Sequence, residues 1–288
     1  MGYKKYRPPR IPKPRYMNNL VSQGKSKEEL EVFNMIKLEF PHLQVFESDR
    51  VILSGRELDI WIPSKRLGIE FNGLYYHNSN TKSDSYHLWK TMQCEKQGIR
   101  LIQIFSDEWE FKKGLVIDHI KKSLGKYKII EDESLIPVFI SQKEAKEFFN
   151  SNSLTQWVKC DKYVALLKDN MVVSCIGYGL NNEDIIINMY SDRCKIKIPG
   201  AISKFISFIS SNQKIKDTYL ILDRRIHSIS DIDEKSSIIE ATPPRTFFTK
   251  DYKSRKLISE FRLTENKLIE NGYVKVHDCG LLKIKLTV

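Results

Sequence analysis

The chain has no apolar run long enough to span a bilayer, and no apolar h-region follows its basic N-terminus, so neither a membrane span nor a secretory signal is expected. Its five cysteines, Cys94, Cys160, Cys175, Cys194 and Cys279, are odd in number, scattered and never spaced CxxC. That argues against a disulfide framework and a zinc site, and for reduced thiols in a cytoplasmic compartment. No GxGxxG stretch supplies a Gly-rich phosphate cradle, which leaves acyl transfer without a handle, and no internal repeat links the two halves. Acidic residues are missing from the beginning of the chain, where the first is Glu28.

What fills that beginning is positive charge. The net charge is +11, and Lys4, Lys5, Arg7, Arg10, Lys13, Arg15, Lys25 and Lys27 all precede Glu28. Residues 1–25 also carry Pro8, Pro9, Pro12 and Pro14 among three tyrosines, which keeps the backbone extended and prevents a helix. An extended basic arm suits a phosphate backbone, nucleic acid before membrane, with Lys4, Lys5, Arg7, Arg10, Lys13 and Arg15 as the phosphate contacts. The plainer alternative is a solubilising tail or a localisation signal.

The remaining length and apolar content suffice for two α/β domains. Ser26 and Glu29 form a capping-box pattern before Leu30, Phe33, Ile36 and Phe40, and Pro41 ends that helix. VFESDRVILSG, RELDIWIP and RLGIEFNG read as strands, followed by a helix with Tyr86, Leu88, Trp89 and Met92 on its apolar face. IRLIQIFSDEW is a buried strand and GLVIDHIKKSLG a closing helix, giving αβββαβα, a mixed sheet covered by helices over 26–130. A second α/β domain is expected over 135–288, with a hairpin at Asp169-Asn170, a helix at PGAISKFISFISSN and a terminal hairpin turning at Gly280.

The residues that could carry chemistry lie in RELDIWIPSKRLGIEFNGLYYH. Alternation puts Glu57, Asp59 and Trp61 on one face of the first strand, and Glu70 opposite Ile69 and Phe71 on the second. Two carboxylates on paired strands can share one divalent ion, with the Phe71 carbonyl as a third oxygen ligand; Mg²⁺ or Mn²⁺ suits that set. Glu29 could add a ligand or orient water, His77 act as general base, and Lys90 stabilise a pentavalent transition state. Each has a bland alternative: Glu29 as a helix cap, Asp59 and Glu70 as solvated strand residues, His77 as a surface histidine, Lys90 as a solvent-facing lysine. In the second domain Arg224 and Arg225 end a strand, with Arg245, Lys250, Lys253 and Arg255 nearby among Phe247, Phe248 and Tyr252. They could grip phosphates, or form an ordinary charged loop. His277-Asp278-Cys279 is no triad, because contiguous strand residues alternate in direction.

Taken together, SKEELEVF, ELDIWIPSKRLGIEFNGLYYH and YHLWKTMQCEKQGIRLIQIFSDEW resemble the nuclease domain of phage homing endonucleases of the very-short-patch-repair-like (EDxHD) branch of the PD-(D/E)xK superfamily. The resemblance covers about 24–122. PGAISKFISFI, Asp223-Arg224-Arg225 and GYVKVHDCGLLK extend it into a C-terminal module. It implies a restriction-endonuclease-like fold, a site of Glu29, Asp59, Glu70 and His77 with Asp84 as a further acid, and Mg²⁺-dependent cleavage of double-stranded DNA in the cytoplasm of an infected bacterium. No small-molecule cofactor is expected. Two features depart from the pattern. Asn72 stands where the superfamily's ExK lysine belongs, moving that role to Lys90, Lys82 or His77, and the segment 226–244 is shorter than the module's usual form. A mismatch or restriction-type nuclease and a DNA-binding regulator with a decayed site are the alternatives.

Overall fold

Ser26 starts the first helix, α1 (Lys27–Glu39), by accepting the Glu29 amide on its hydroxyl at 3.1 Å, and Glu28 and Glu29 fall in the first turn, where the helix dipole favours them. The computed structural model describes residues 25–131, 134–232 and 235–287; the proposed arm, with Lys4, Lys5, Arg7, Arg10, Lys13 and Arg15, lies outside the described residues. After α1 come β1 (Phe46–Leu53), β2 (Arg56–Ile62), β3 (Leu67–Asn72), α2 (Tyr86–Lys96), β4 (Arg100–Phe105) and α3 (Ser106–Ser123), the order the sequence predicts. The sheet runs β1-β2-β3-β4, antiparallel except for the parallel β3–β4 pair. Arg66, at φ 46°, makes the tight turn between β2 and β3 after the single 3-10 turn at Pro63–Lys65.

Every residue of β3 is buried, because helices cover both faces of this interior strand. On one face Ile60, Ile62, Leu67, Ile69 and Phe71 pack with Val32 and Ile36 of α1 and Val116 and Ile120 of α3. Burying each such side chain contributes roughly 1.5–3 kcal/mol. The other face receives α2, and here the expectation fails. The buried residues of α2 are His87, Lys90, Thr91 and Cys94, whereas Met92 is exposed. That i, i+3, i+4, i+7 stripe is polar, so a search for apolar periodicity selects the wrong face.

Strict alternation along β2 also fails. Leu58 and Trp61 pack with Cys94 and Leu101 on the α2 side, while Ile60 and Ile62 belong to the core beneath α1. The strand turns over at Asp59, and its pairing with β3 stops at Ile60↔Ile69.

The second domain carries a seven-stranded sheet in the order 235–241, 281–287, 218–223, 184–192, 171–181, 162–168, 136–139. The strands Asp184–Asp192 and Thr218–Asp223 are parallel, joined through the helix Ala201–Ser210; the other neighbouring pairs are antiparallel. Asp169 and Asn170 both take positive φ, as a two-residue hairpin turn requires. The predicted terminal hairpin does not form. Val274–His277 pairs with Thr246–Thr249 in a separate three-stranded sheet, and Leu281–Thr287 joins the large sheet. Gly280, at φ 76°, makes the crossing between sheets where a Cβ would lie 2.4 Å from the Thr242 carbonyl oxygen, so no other residue fits without backbone movement. Described residues thus form a mixed α/β structure with several sheets and six helices, and none of those helices is long and apolar enough to cross a membrane.

The part built on the four-stranded sheet and the part built on the seven-stranded sheet touch one another. The Gln103 amide of the edge strand β4 donates to the Arg225 carbonyl at 2.8 Å, and Leu74 and Phe105 share a core with Phe247 and Val276.

Candidate active site

Where β2 turns over, two carboxylates clasp the backbone of the facing strand. Asp59 Oδ2 accepts the Phe71 amide at 2.8 Å, and Glu70 Oε1 accepts the Asp59 amide at 3.3 Å. Side chains thus replace ladder bonds and hold both acids in place. Glu70 is buried, and its other oxygen meets Lys90 Nζ at 2.5 Å. Lys90, on the inward-facing polar stripe of α2, is therefore not solvent-facing. Asn72 shares Glu70's face but bonds Gln103 at 3.1 Å, and Gln103 in turn bonds Thr91 Oγ1 at 2.7 Å and the His87 carbonyl at 2.8 Å. The ammonium beside Glu70 thus comes from α2. Thr91 and Gln103 were missed in the sequence, and Asn72 was noticed there only for the lysine it lacks; a buried-strand glutamine and a polar stripe at helical spacing were the available signals.

Burial dominates the electrostatics of the three acids. Burial, and then Asp59, push Glu29 up to about 7. Burial raises Asp59 to about 6 against the opposing pull of Lys90 and the Phe71 amide. Burial and Asp59 raise Glu70 to about 8, Lys90 offsetting part of it. Burial alone would depress Lys90, but Glu70 and Asp59 outweigh it and hold the ammonium above its ordinary value. Glu29 is thus more than a helix cap: its Ser26 bonds lower its pKa, and the site acids raise it.

His77 follows the β3 turn in a loop that the buried Asn78 fastens, its amide donating to the Leu74 and Tyr75 carbonyls at 3.1 and 2.8 Å. The His77 ring stacks on His87 at 5.2 Å and meets the edge of Tyr86 at 5.8 Å; Tyr86 in turn lies under the ammonium groups of Lys82 and Lys90. Burial, then Lys82 and Lys90, lower His77 to about 3, so the ring stays neutral at physiological pH. Its Nδ1 is buried with no hydrogen-bond partner among the described residues. Asp84 reaches into the second domain, 3.1 Å from His277 Nε2.

The arginines predicted to hold phosphates are placed inside the molecule. Arg224 is forked onto Glu95, with Nε to Oε1 at 2.9 Å. Arg225 joins Asp223 and Glu108, Arg245 joins Asp223 and Asp278, and Arg255 joins Asp107 and Glu108 while covering the Phe105 ring at 3.6 Å. These four are therefore engaged in ion pairs rather than presented as a free phosphate-binding patch: Arg224, Arg225 and Arg255 reach Glu95, Glu108 and Asp107 of the N-terminal part, and Arg245 joins the network through Asp223. Lys253 remains exposed.

Among the described residues no group of three or more His, Cys, Asp or Glu side chains is arranged to hold a metal ion. Asp59 and Glu70 nonetheless fit a hard divalent cation that keeps most of its waters, since such an ion needs only one or two carboxylates and its charge would relieve acids raised by burial. The cavity bordered by Asp118 of α3 and Asp192 does not include Asp59, Glu70 or Lys90; Glu70 and Lys90 are buried.

Glu29 gives a stability test. With its pKa raised from 4.5 to about 7, its contribution is fully present below pH 4.5 and is lost as pH rises through 7. In chelator, the melting temperature of the wild type should therefore fall relative to Glu29→Gln by a few degrees between pH 5 and pH 8. Parallel melting curves for the two proteins across that range would contradict this.

No family model matches the chain, and no curated protein matches it. One solved structure, a GNAT family acetyltransferase from Elizabethkingia anophelis with acetyl-CoA bound, aligns with 55% of this chain and all of that one at 8% identity and a TM-score of 0.27, a likeness too slight to carry an argument. The resemblance to homing endonucleases drawn from the sequence strings is accordingly corrected: motif strings such as DIWIP and YHLWKT do not amount to membership of that family, and neither family models nor curated proteins supply a nuclease relative.

Proposed function

We infer that the chain is a metal-dependent phosphodiester hydrolase acting on double-stranded DNA, with a nuclease-type mixed sheet carrying the site. One observation carries the reading: a buried lysine from a helix is held on a strand glutamate beside a second, strand-clamped aspartate. In this reading Asp59 and Glu70 hold the ion, the Phe71 carbonyl lies within the same strand as a further oxygen, and bound Mg²⁺ or Mn²⁺ supplies an activated water and neutralises phosphate charge. Lys90 places a fixed positive charge where the phosphorane develops negative charge. Glu29, ionising near pH 7, is suited to accept or orient a proton of the attacking water. Neutral His77 donates or accepts a hydrogen bond without changing charge. DNA is favoured as substrate by the basic residues before Glu28, which form a sequence-independent electrostatic tether.

The second reading is a DNA-binding regulator that does not cut, favoured by the lack, among the described residues, of any three-ligand metal set. Plasmid cleavage with Mg²⁺, Mn²⁺ or chelator separates the two. The wild type should nick or cut only with a divalent ion, and Asp59→Ala should lower the rate at least about a hundredfold, the upper end of what losing a ligand's supporting contact costs. A wild type that binds duplex yet leaves it intact under every divalent ion would establish the regulator instead.

A further inference from the structure

We propose that the crevice between the two domains binds a phosphorylated small molecule of about nucleotide size, independently of the Asp59–Glu70–Lys90 site. The two parallel strands of the large sheet pair only at Thr218↔Ile185, Tyr219↔Ile186 and Leu220↔Ile187. Past that point they separate, and a cavity of about 390 Å³ opens between Asn188–Asp192 and Ile221–Leu222. Crevices at the carboxyl ends of neighbouring parallel strands, where a sheet's order changes, are the usual ligand positions of α/β folds, and this volume lies in the range of small-molecule sites.

The cavity is neither an apolar void nor a surface dent. Its opposite wall is helix α3 of the first domain, which contributes Asp118, His119 and Lys122. Five cationic side chains line it, Lys65, Arg100, Lys122, Lys195 and Lys197, against the carboxylates of Asp118, Asp192 and Asp231. Those carboxylates are engaged. Asp231 meets Arg100 at 2.8 Å and Asp118 meets Lys195 at 3.3 Å. Asp192 accepts from Ser174 at 2.9 Å, from Tyr190 at 3.1 Å and from the Ile198 amide at 3.2 Å, and lies 3.6 Å from Lys122. Five cations against three carboxylates leave the lining with a formal excess of positive charge. An anion with several acceptor oxygens answers it, which is the chemistry of a phosphate ester or pyrophosphate. A ligand seated there would touch both domains, so its binding energy would add to their association.

The test is equilibrium dialysis of the full chain with pyrophosphate and with ATP in chelator, with thermal melting run alongside. Saturable binding of either probe and a raised melting temperature are expected. Lys65→Glu combined with Lys195→Glu should weaken it at least tenfold; both side chains reach solvent, so folding is checked by an unchanged melting temperature without probe. Lys65→Ala with Lys195→Ala should weaken binding less, in the same direction. Asp59→Ala should bind as the wild type does. Failure of both probes to saturate at millimolar concentration, or binding that survives the lysine reversals and disappears in Asp59→Ala, would overturn the proposal.

Discussion

Replacing Lys90 with alanine should destabilise the protein by about 3–5 kcal/mol at pH 9, the cost of leaving one member of a buried ion pair without its partner. Lys90 and Glu70 are both almost wholly buried, at 3% and 1% exposure, and among the described residues no other cation bonds the Glu70 carboxylate. The loss should shrink at pH 6. Glu70 already ionises at about 8 with Lys90 in place, and removing the ammonium raises it further, so at the lower pH the carboxyl takes up a proton rather than remain charged. A raised folded-state value means stability is lost as pH rises through it, which sets the sign: the variant falls behind the wild type as pH climbs. Denaturant unfolding at the two pH values measures this. Lys90→Met, which keeps the packing, should behave alike, and adding Glu70→Gln should recover most of the loss at pH 9. Equal destabilisation at both pH values, or no recovery in the double variant, would show that Lys90 acts through packing rather than charge.

The pattern of what the sequence disclosed follows from the range of the interactions involved. Helix starts and turns are local, so Ser26, Pro41 and Asp169-Asn170 mark real boundaries, and the order αβββαβα is recovered. The site was half legible: Asp59 and Glu70 lie on adjacent strands of one hairpin, and a single turn fixes their proximity. Lys90 reaches them because α2 turns a polar face inward, which inverts the usual reading of an amphipathic helix. The arginines were misread for a different reason. Arg225 and Arg255 find Glu108 and Asp107 from more than a hundred residues away, and nothing in a single sequence announces such a partner. A charged loop looks the same whether it faces phosphate or the other domain. The broken terminal hairpin is a further case, since Gly280 signals a turn but not that the flanking strands leave for different sheets.

That interdomain network sets the other large effect. Arg225, at 2% exposure, donates to Glu108 at 2.6 Å and to Asp223 at 3.0 Å, while Arg245 holds Asp223 at 2.8 Å and Arg255 holds Glu108 at 2.9 Å. Burial works to raise both carboxyls, but Arg225 with Arg245 keeps Asp223, and Arg225 with Arg255 keeps Glu108, below the ordinary carboxylate range. Groups so depressed contribute stability that is present above their unfolded-state pKa and is lost as pH falls through the folded one, so the domain contact should be secure at neutral pH and give way in acid. Arg225→Ala leaves two buried carboxylates short of a cation and should cost about 3–5 kcal/mol at pH 7. Arg225→Lys should recover little of it, because a single ammonium cannot span Asp223 and Glu108 as the planar fork does. Since Arg225 sits where the edge of one sheet meets the other domain, calorimetry of Arg225→Ala should separate the unfolding of the two domains into two transitions. One unchanged transition, or full recovery by lysine, would mean that the apolar contact of Leu74, Phe105, Phe247 and Val276 holds the domains together without the arginines.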